Sequence, residues 1–464
     1  MAYNSLMKNH ELTFLSPLDG RYAKTTQPLR AYFSEFAYIR NRAKVEIDYL
    51  IALSQNLKII RPLDKKELDF LHNLKENFSL EDAERIKEIE LETRHDVKAI
   101  EYFLKERLTE TSMADIVEWL HFGLTSADVN FTAYALSLRN ARDFVLLPAV
   151  DNLLTQIADL ANKTKSIPIL ARTHGQPAVP STFGKEIAVF LSRLHKQRNA
   201  LTAHSFEAKF SGAVGSYNAQ SAAFPEVDWQ RFNLDFFKTL NLQANIVTTQ
   251  ILPYDNWLLF FQTLHLTNSI LLDFSQDIWR YISDNYLKLR VVEGEIGSST
   301  MPQKVNPIDF ENAEGNLGIA NTLLEQFIRK LPISRLQRDL SDSTVRRNFG
   351  AALGYSLIAF SSLSRGLNRI EANESEMKVA LEKHWEVVAE GAQTILRAAK
   401  IPESYEKLKT LTRGKKFSKD TYLEWIKELD IDEMLKAKLR QLTPQSYIGL
   451  SEKIAQDVLD TLKK

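Results

Sequence analysis

Four polar stretches of the chain gather residue types that do chemistry, each set between apolar segments. ARTHGQPAVPST, residues 171–182, centres on His174, with Thr173 and Gly175 beside it and Pro177 close behind. A histidine held in a tight turn can give or take a proton near neutral pH, although a lone histidine can equally be structural. ETRHDVKAIEYFL at 92–104 sets His95 between Arg94 and Asp96, and HFGLTSADVN at 121–130 follows with Thr125 and Ser126. GEIGSSTMPQKVNP at 294–307 combines Gly294, Gly297, Ser298, Ser299 and Lys304. Its glycines permit backbone conformations closed to other residues, so N–H groups and hydroxyls can close on a ligand. Pro307 followed by Ile308–Asp309–Phe310–Glu311 reads as a helix start, and helix N-termini favour anions. With the Lys304 charge, the set suits a carboxylate or an enolate-like intermediate. QRDLSDSTVRRN at 337–348 places Arg338, Arg346 and Arg347 around Ser341, Ser343 and Thr344. Guanidinium plus hydroxyl binds phosphate or carboxylate, though a salt-bridged surface uses the same residues.

Other chemistries lack their residues. The chain has no cysteine, which excludes disulfides, thiolate metal sites and a cysteine nucleophile. Its nine histidines include no HExxH pair, and neither a Walker loop nor GxGxxG occurs, so we expect no metal and no nucleotide cofactor. Lys+Arg and Asp+Glu both number 59, unlike the basic excess of nucleic-acid-binding domains. The N-terminal residues lack a signal-peptide core, and the apolar run 256–272 is interrupted by Gln262, Thr263, His265, Thr267 and Asn268. We expect a soluble, cytoplasmic protein with no membrane and no nucleic-acid partner.

The stretches must be held by long helices. Glycine (16) and proline (14) are scarce in 464 residues, below the usual shares of about 7% and 5%. Neither occurs in 124–147, between Lys185 and Ser211, or between Tyr254 and Glu293. Ile187, Phe190, Leu191 and Leu194 fall three and four apart, on one helical face. Between 254 and 293 the apolar residues Trp257, Phe260, Phe261, Leu264, Ile270, Leu271, Phe274, Ile278 and Ile282 cover more than one stripe, as in a helix inside a bundle. Strand signals are weak. The expected class is mainly α: a central bundle of long helices at 112–366, flanked by smaller helical domains at 1–111 and 367–464. Helices apolar on several faces further suggest packing between subunits.

Together the stretches carry a family likeness. GSSTMPQKVNP resembles the signature of the fumarase/aspartase superfamily, and THGQPA and LTSADVN match two further segments in order. SPLDGRY at 16–22, HDVKAIEYFL, KVNPIDFEN and RDLSDSTVRRN resemble the bacterial adenylosuccinate lyases within it, so the likeness runs over nearly the whole chain. Gln303 departs from it: the purine lyases often carry histidine there, and argininosuccinate lyases glutamine.

The resemblance implies a fumarase/aspartase-like fold and β-elimination of fumarate from a succinylated purine nucleotide or its ribotide precursor, without a cofactor. It implies Ser298 as the base and His174 as the acid. Lys304 would stabilise the alkoxide and carbanion, Glu311 would pair with the acid histidine, and His95 would assist. Arg21, Tyr22, Arg94, Asp96, Thr125, Ser126, Gln250, Ser299, Asn306, Asn312, Arg338, Ser343 and Arg347 would bind substrate; Arg346 has no counterpart. It also implies a homotetramer whose active sites are shared between subunits. Argininosuccinate lyase or another fumarate-forming lyase is the alternative activity, and a catalytically silent helical scaffold the alternative class.

Overall fold

A computed structural model of the chain describes residues 13–291, 301, 304–412 and 417–462. Helices dominate it, and among the described residues the sheet structure is three two-stranded ribbons. The chain divides into two compact units interleaved in sequence. The first comprises 1–149, 197–269 and 316–359; the second comprises 150–196, 270–315 and 360–464.

In the first unit, helix Glu35–Ala52 packs against helices Ser126–Ala141 and Asp96–Thr109. Val45, Leu50, Ala133 and Leu138 are buried, and Asn41 donates to Ser137 Oγ at 2.9 Å. An aromatic cluster of Tyr49, Phe210, Phe232 and Phe236 adds to this core. In the second unit, Leu381, Trp385, Val388, Tyr422 and Trp425 build a C-terminal core that also takes in Leu170.

The glycine- and proline-free windows are largely helical, although short strands follow the helices at Glu207–Ala208 and Leu287–Leu289. Helix Asp255–Ser283 has 29 residues, roughly 43 Å at the α-helical rise. Trp257, Phe260, Phe261, Leu264, Leu271, Phe274 and Ile278 along it are all buried. The helix begun at Ser126 outruns its window: a π turn at Arg142–Leu146 leads into helix Leu147–Thr164, through Pro148. There the Leu147 N–H bonds back five residues to the Arg142 carbonyl, a local change of register just where proline cannot donate.

Residues Ser126–Thr164 are long and apolar enough, by composition, to cross a bilayer. Within them, however, Asp128, Asn130, Thr132, Ser137 and Arg142 are buried. Asp128 pairs with Lys209, Asn130 accepts from Arg42, and Ser137 accepts from Asn41. Polar groups satisfied by protein on this scale mark an interior helix.

The stretch 171–182, expected only as a turn, lies in an antiparallel hairpin of strands Pro168–Thr173 and Gln176–Thr182. Its strand signal is weak because Pro168, Pro177 and Pro180 interrupt the β-formers. A two-stranded ribbon has only edge strands, where proline is tolerated.

Candidate active site

The two-residue joint between helices Leu80–Thr93 and Asp96–Thr109 explains the placing of Arg94 and His95. Arg94 ends the first helix in the left-handed region (φ 51°), and its N–H bonds to the Glu90 carbonyl at 2.8 Å. His95 caps the second helix: its Nδ1 accepts the Lys98 N–H at 3.1 Å. An accepting Nδ1 puts the ring proton of neutral His95 on Nε2. The next residue, Asp96, pairs with Arg42 at 3.1 Å. Burial alone would raise the Asp96 carboxyl, but Arg42 and the Val97 N–H hold it below the usual carboxylate range.

Thr125 and Ser126 are set by the start of helix Ser126–Ala141. The Thr125 N–H donates to Asp128 Oδ2 at 2.9 Å, one half of a capping box. Asp128 also accepts from Lys209 Nζ at 2.6 Å and from the Ser211 and Gly212 N–H groups, both at 3.1 Å. Asp128 and Lys209 are both 0% exposed. One carboxylate therefore ties the helix start to the chain at 209–212.

The arginine-rich stretch forms a bend and a six-residue helix, Ser341–Arg346. Arg347 donates to the Ser343 carbonyl at 3.0 Å and lies 3.2 Å from Ser343 Oγ. Asp339 receives the Arg335 and Ser341 N–H groups and shapes the bend carrying Arg338.

These pieces meet in one cleft of about 540 Å³ in the first unit. Nine of the sequence-derived residues line it: Arg94, His95, Asp96, Thr125, Ser126, Gln250, Arg338, Ser343 and Arg347. Gln250 is oriented by donating to the Ala213 carbonyl at 3.0 Å. Five arginines (42, 94, 338, 346 and 347) face three carboxylates (Glu35, Glu90 and Asp96), leaving the lining positive within a chain of zero net charge. Such a cleft concentrates anions. Arg347 also lines a neighbouring cavity of about 430 Å³, together with Ser16, Leu18 and Asp19 of the SPLDGRY turn. Arg21 and Tyr22 end that turn, where the Tyr22 N–H bonds to the Pro17 carbonyl at 2.9 Å and Thr26 Oγ1 donates to the Leu18 carbonyl at 2.6 Å.

His174, Lys304, Asn306, Glu311 and Asn312 belong to the second unit. His174 and Gly175 form the hairpin tip, both with positive φ (53° and 74°), the pattern of a type I′ turn. The tip is exposed, while Leu170 roots the hairpin in the C-terminal core. A non-glycine residue in the left-handed region is under strain of a kind that clusters at functional sites. Helix Ile308–Lys330 starts directly after Pro307, as the sequence implies. Glu311 accepts from Trp279 Nε1 at 3.1 Å, Asn312 Oδ1 accepts from Ser362 Oγ at 2.7 Å, and Lys304 is exposed. Ser298, Ser299, Gly294, Gly297 and Gln303 lie outside the described residues.

Arg42, Asp128 and Lys209 support the cleft but were not singled out from the sequence; Arg346, read there as one of the arginine set, was given no site role. For Asp128 a local signal exists, the T-x-x-D capping pattern at 125–128; for Arg346 it is the four-residue spacing from Asp342.

Known proteins share this architecture. Over residues 20–320 the chain matches the family described as Lyase, and over 334–448 the one described as Adenylosuccinate lyase C-terminal. The 3-carboxy-cis,cis-muconate lactonizing enzyme from Pseudomonas putida superposes with a TM-score of 0.74 at 18% identity, covering 94% of this chain and 97% of that one. A fumarate lyase from Mesorhizobium sp. BNC1 gives the same score and coverage at 19% identity. The fold is thus the mainly α fold of the fumarate lyases. Curated relatives narrow this. The adenylosuccinate lyase of Haemophilus influenzae is 47% identical over 453 residues, 97% of this chain and 99% of the relative. That of Escherichia coli K12 is 46% identical over 446 residues, 96% and 98% of the two chains. The chain belongs to the adenylosuccinate lyase family.

Proposed function

We propose that this protein acts as an adenylosuccinate lyase, releasing fumarate from adenylosuccinate to give AMP and from succinylaminoimidazole carboxamide ribotide to give AICAR. End-to-end identity of 45–47% to relatives of that name carries the reading. The arginine-lined cleft fits a substrate bearing a phosphate and two carboxylates.

The mechanism assigns roles to residues of this chain. Ser298, as the alkoxide that Lys304 stabilises, takes the proton from the succinyl carbon next to the one bonded to nitrogen and becomes the neutral hydroxyl. The electron pair left behind delocalises into the adjacent carboxylate, where Lys304 and the N-terminus of helix Ile308–Lys330 stabilise it. That pair then forms the fumarate double bond as the carbon–nitrogen bond breaks, and His174 protonates the departing nitrogen. Glu311 pairs with the acid imidazole and fixes its ring. His95, with its ring proton on Nε2, donates to the bound substrate. Arg338, Ser343 and Arg347 receive the phosphate, while Arg21, Tyr22, Arg94, Asp96, Thr125, Ser126, Gln250, Ser299, Asn306 and Asn312 hold the rest.

The working form is a homotetramer with active sites shared between chains. Apolar Leu259, Leu266 and Ile319 on two long helices are 59%, 46% and 48% exposed in the single chain. Gly315 and Gly318, on the helix that carries Ile319, face open space. Mid-helix glycine weakens a helix unless close approach of another element needs it. The exposed His174 tip is likewise available to a neighbouring subunit. The interior character of Ser126–Thr164 supports a cytoplasmic location.

The test is fumarate release by purified protein given adenylosuccinate and argininosuccinate in parallel, with sedimentation to count chains. Release from adenylosuccinate alone is expected. Release from argininosuccinate would make Gln303 the informative residue, and release from neither by a folded tetramer would favour the scaffold alternative.

A further inference from the structure

The helix Ser341–Arg346 presents Ser343 and leads into Arg347, yet its six residues are too few to be stable alone. Something must hold it, and its two buried residues are both charged: Asp342 and Arg346. Arg346 is 2% exposed. Its guanidinium lies 4.7 Å from the Phe131 ring centre and 5.1 Å from that of Tyr134, both on helix Ser126–Ala141. It pairs with Asp342 at 3.4 Å, and Asp342 accepts the Tyr254 hydroxyl at 2.7 Å. Arg346 Nε and Nη1 have no hydrogen-bond partner in the protein, so the rings are what they face. Arg346, Tyr134 and Asn130 also line the cleft, together with Ser343 and Arg347. Burial alone would depress the Arg346 guanidinium; Tyr254 and Asp342 more than offset it, so the residue stays a cation.

The helix is held by a cation against two aromatic rings and by the Tyr254–Asp342 hydrogen bond, and the cation adds positive charge at the anion-binding wall as well as fixing its geometry.

We propose that Arg346 is a positioning residue for phosphate binding: its buried guanidinium clamps helix Ser341–Arg346 onto Phe131 and Tyr134 and so fixes Ser343 and Arg347. The proposal rests on the lyase reading, because that reading places the substrate phosphate at this wall.

The test uses the full-length protein and three variants, Arg346→Met, Arg346→Lys and Phe131→Leu. It measures kcat and KM for fumarate release from adenylosuccinate, the Kd of AMP by calorimetry, and inhibition by fumarate. In Arg346→Met, KM and the AMP Kd should rise about tenfold or more, with kcat within about threefold of the parent. Fumarate inhibition should not move. Arg346→Lys, which keeps the charge but loses the planar stack, should recover part of the loss, and Phe131→Leu should weaken AMP binding in the same direction. A merely structural residue would lower thermal stability and the active fraction while leaving KM and the AMP Kd unchanged; that result overturns the proposal. Should Arg346→Met not fold, unchanged AMP binding in folded Arg346→Lys and Phe131→Leu overturns it equally. A parent that releases no fumarate from adenylosuccinate would defeat the lyase reading itself, whereas an active parent with indifferent variants defeats this inference alone.

Discussion

Replacing Asp128 by asparagine should unseat the start of helix Ser126–Ala141 and destabilise the protein by ~3–5 kcal/mol, the usual cost of breaking a buried ion pair. The carboxylate accepts from Lys209 Nζ at 2.6 Å, and from the N–H groups of Thr125, Ser211 and Gly212 at 2.9–3.1 Å. An asparagine offers one acceptor oxygen, and its NH2 would point at N–H donors. Lys209 would keep Ser211 Oγ at 3.1 Å and the Gly212 carbonyl at 3.4 Å as partners, which argues for the lower half of the range. In a folding unit of this size that loss lowers Tm by on the order of 10 °C, measured by calorimetry. Because Thr125 and Ser126 line the cleft, KM for adenylosuccinate should rise in the fraction that stays folded. The double variant Asp128→Asn/Lys209→Met removes the stranded charge as well. It should be more stable than the sum of the single losses predicts, by about 1–3 kcal/mol. A Tm for Asp128→Asn within about 2 °C of the parent, or strictly additive single losses, would refute the reasoning.

Ser298→Ala should lose several orders of magnitude in kcat, about 10³-fold or more, with the parent's Tm; turnover near the parent's would discard Ser298 as the base. His174→Asn keeps a residue suited to the left-handed tip, so the hairpin should fold while turnover drops about 10²–10⁴-fold; activity within tenfold of the parent would reassign the acid. Burial and the nearby Arg142 guanidinium push His204 down to about 4, so the unfolded chain binds its proton more readily. That stability is fully present above the unfolded value of about 6.5 and is lost as pH falls towards 4, up to ~3 kcal/mol in all. Urea midpoints between pH 7 and 4 should therefore fall further for the parent than for His204→Phe, and parallel curves would exclude the linkage.

Much of this architecture was legible because it is local. Absence of breakers and the spacing of Trp257, Phe260, Phe261 and Leu264 located a helix found at Asp255–Ser283, and Pro307 marked the start of the next. The polar stretches were visible because helix joints and tight turns need residues that long helices exclude. The hairpin 168–182 was missed because its prolines silence the strand signal. The supports of the cleft were missed for a different reason. Asp128 meets Lys209 across 81 residues, Arg42 meets Asn130 across 88, and Tyr254 meets Asp342 across 88. Periodicity reports which face of a helix is buried, not which distant residue it is buried against.

That difference bears on how the two adjacent arginines divide their work. By residue type Arg346 and Arg347 are alike, and a salt-bridged surface was a fair alternative for both; the family resemblance alone separated them. In the fold one is 2% exposed between aromatic rings and the next is exposed at the cleft. Neighbours on a helix lie about 100° apart, so one of the pair can turn to the core while the next faces the cleft. The exposed arginine can meet an anion, and the buried one fixes where that meeting occurs. Substrate affinity at this wall therefore depends on a residue that need never touch the substrate.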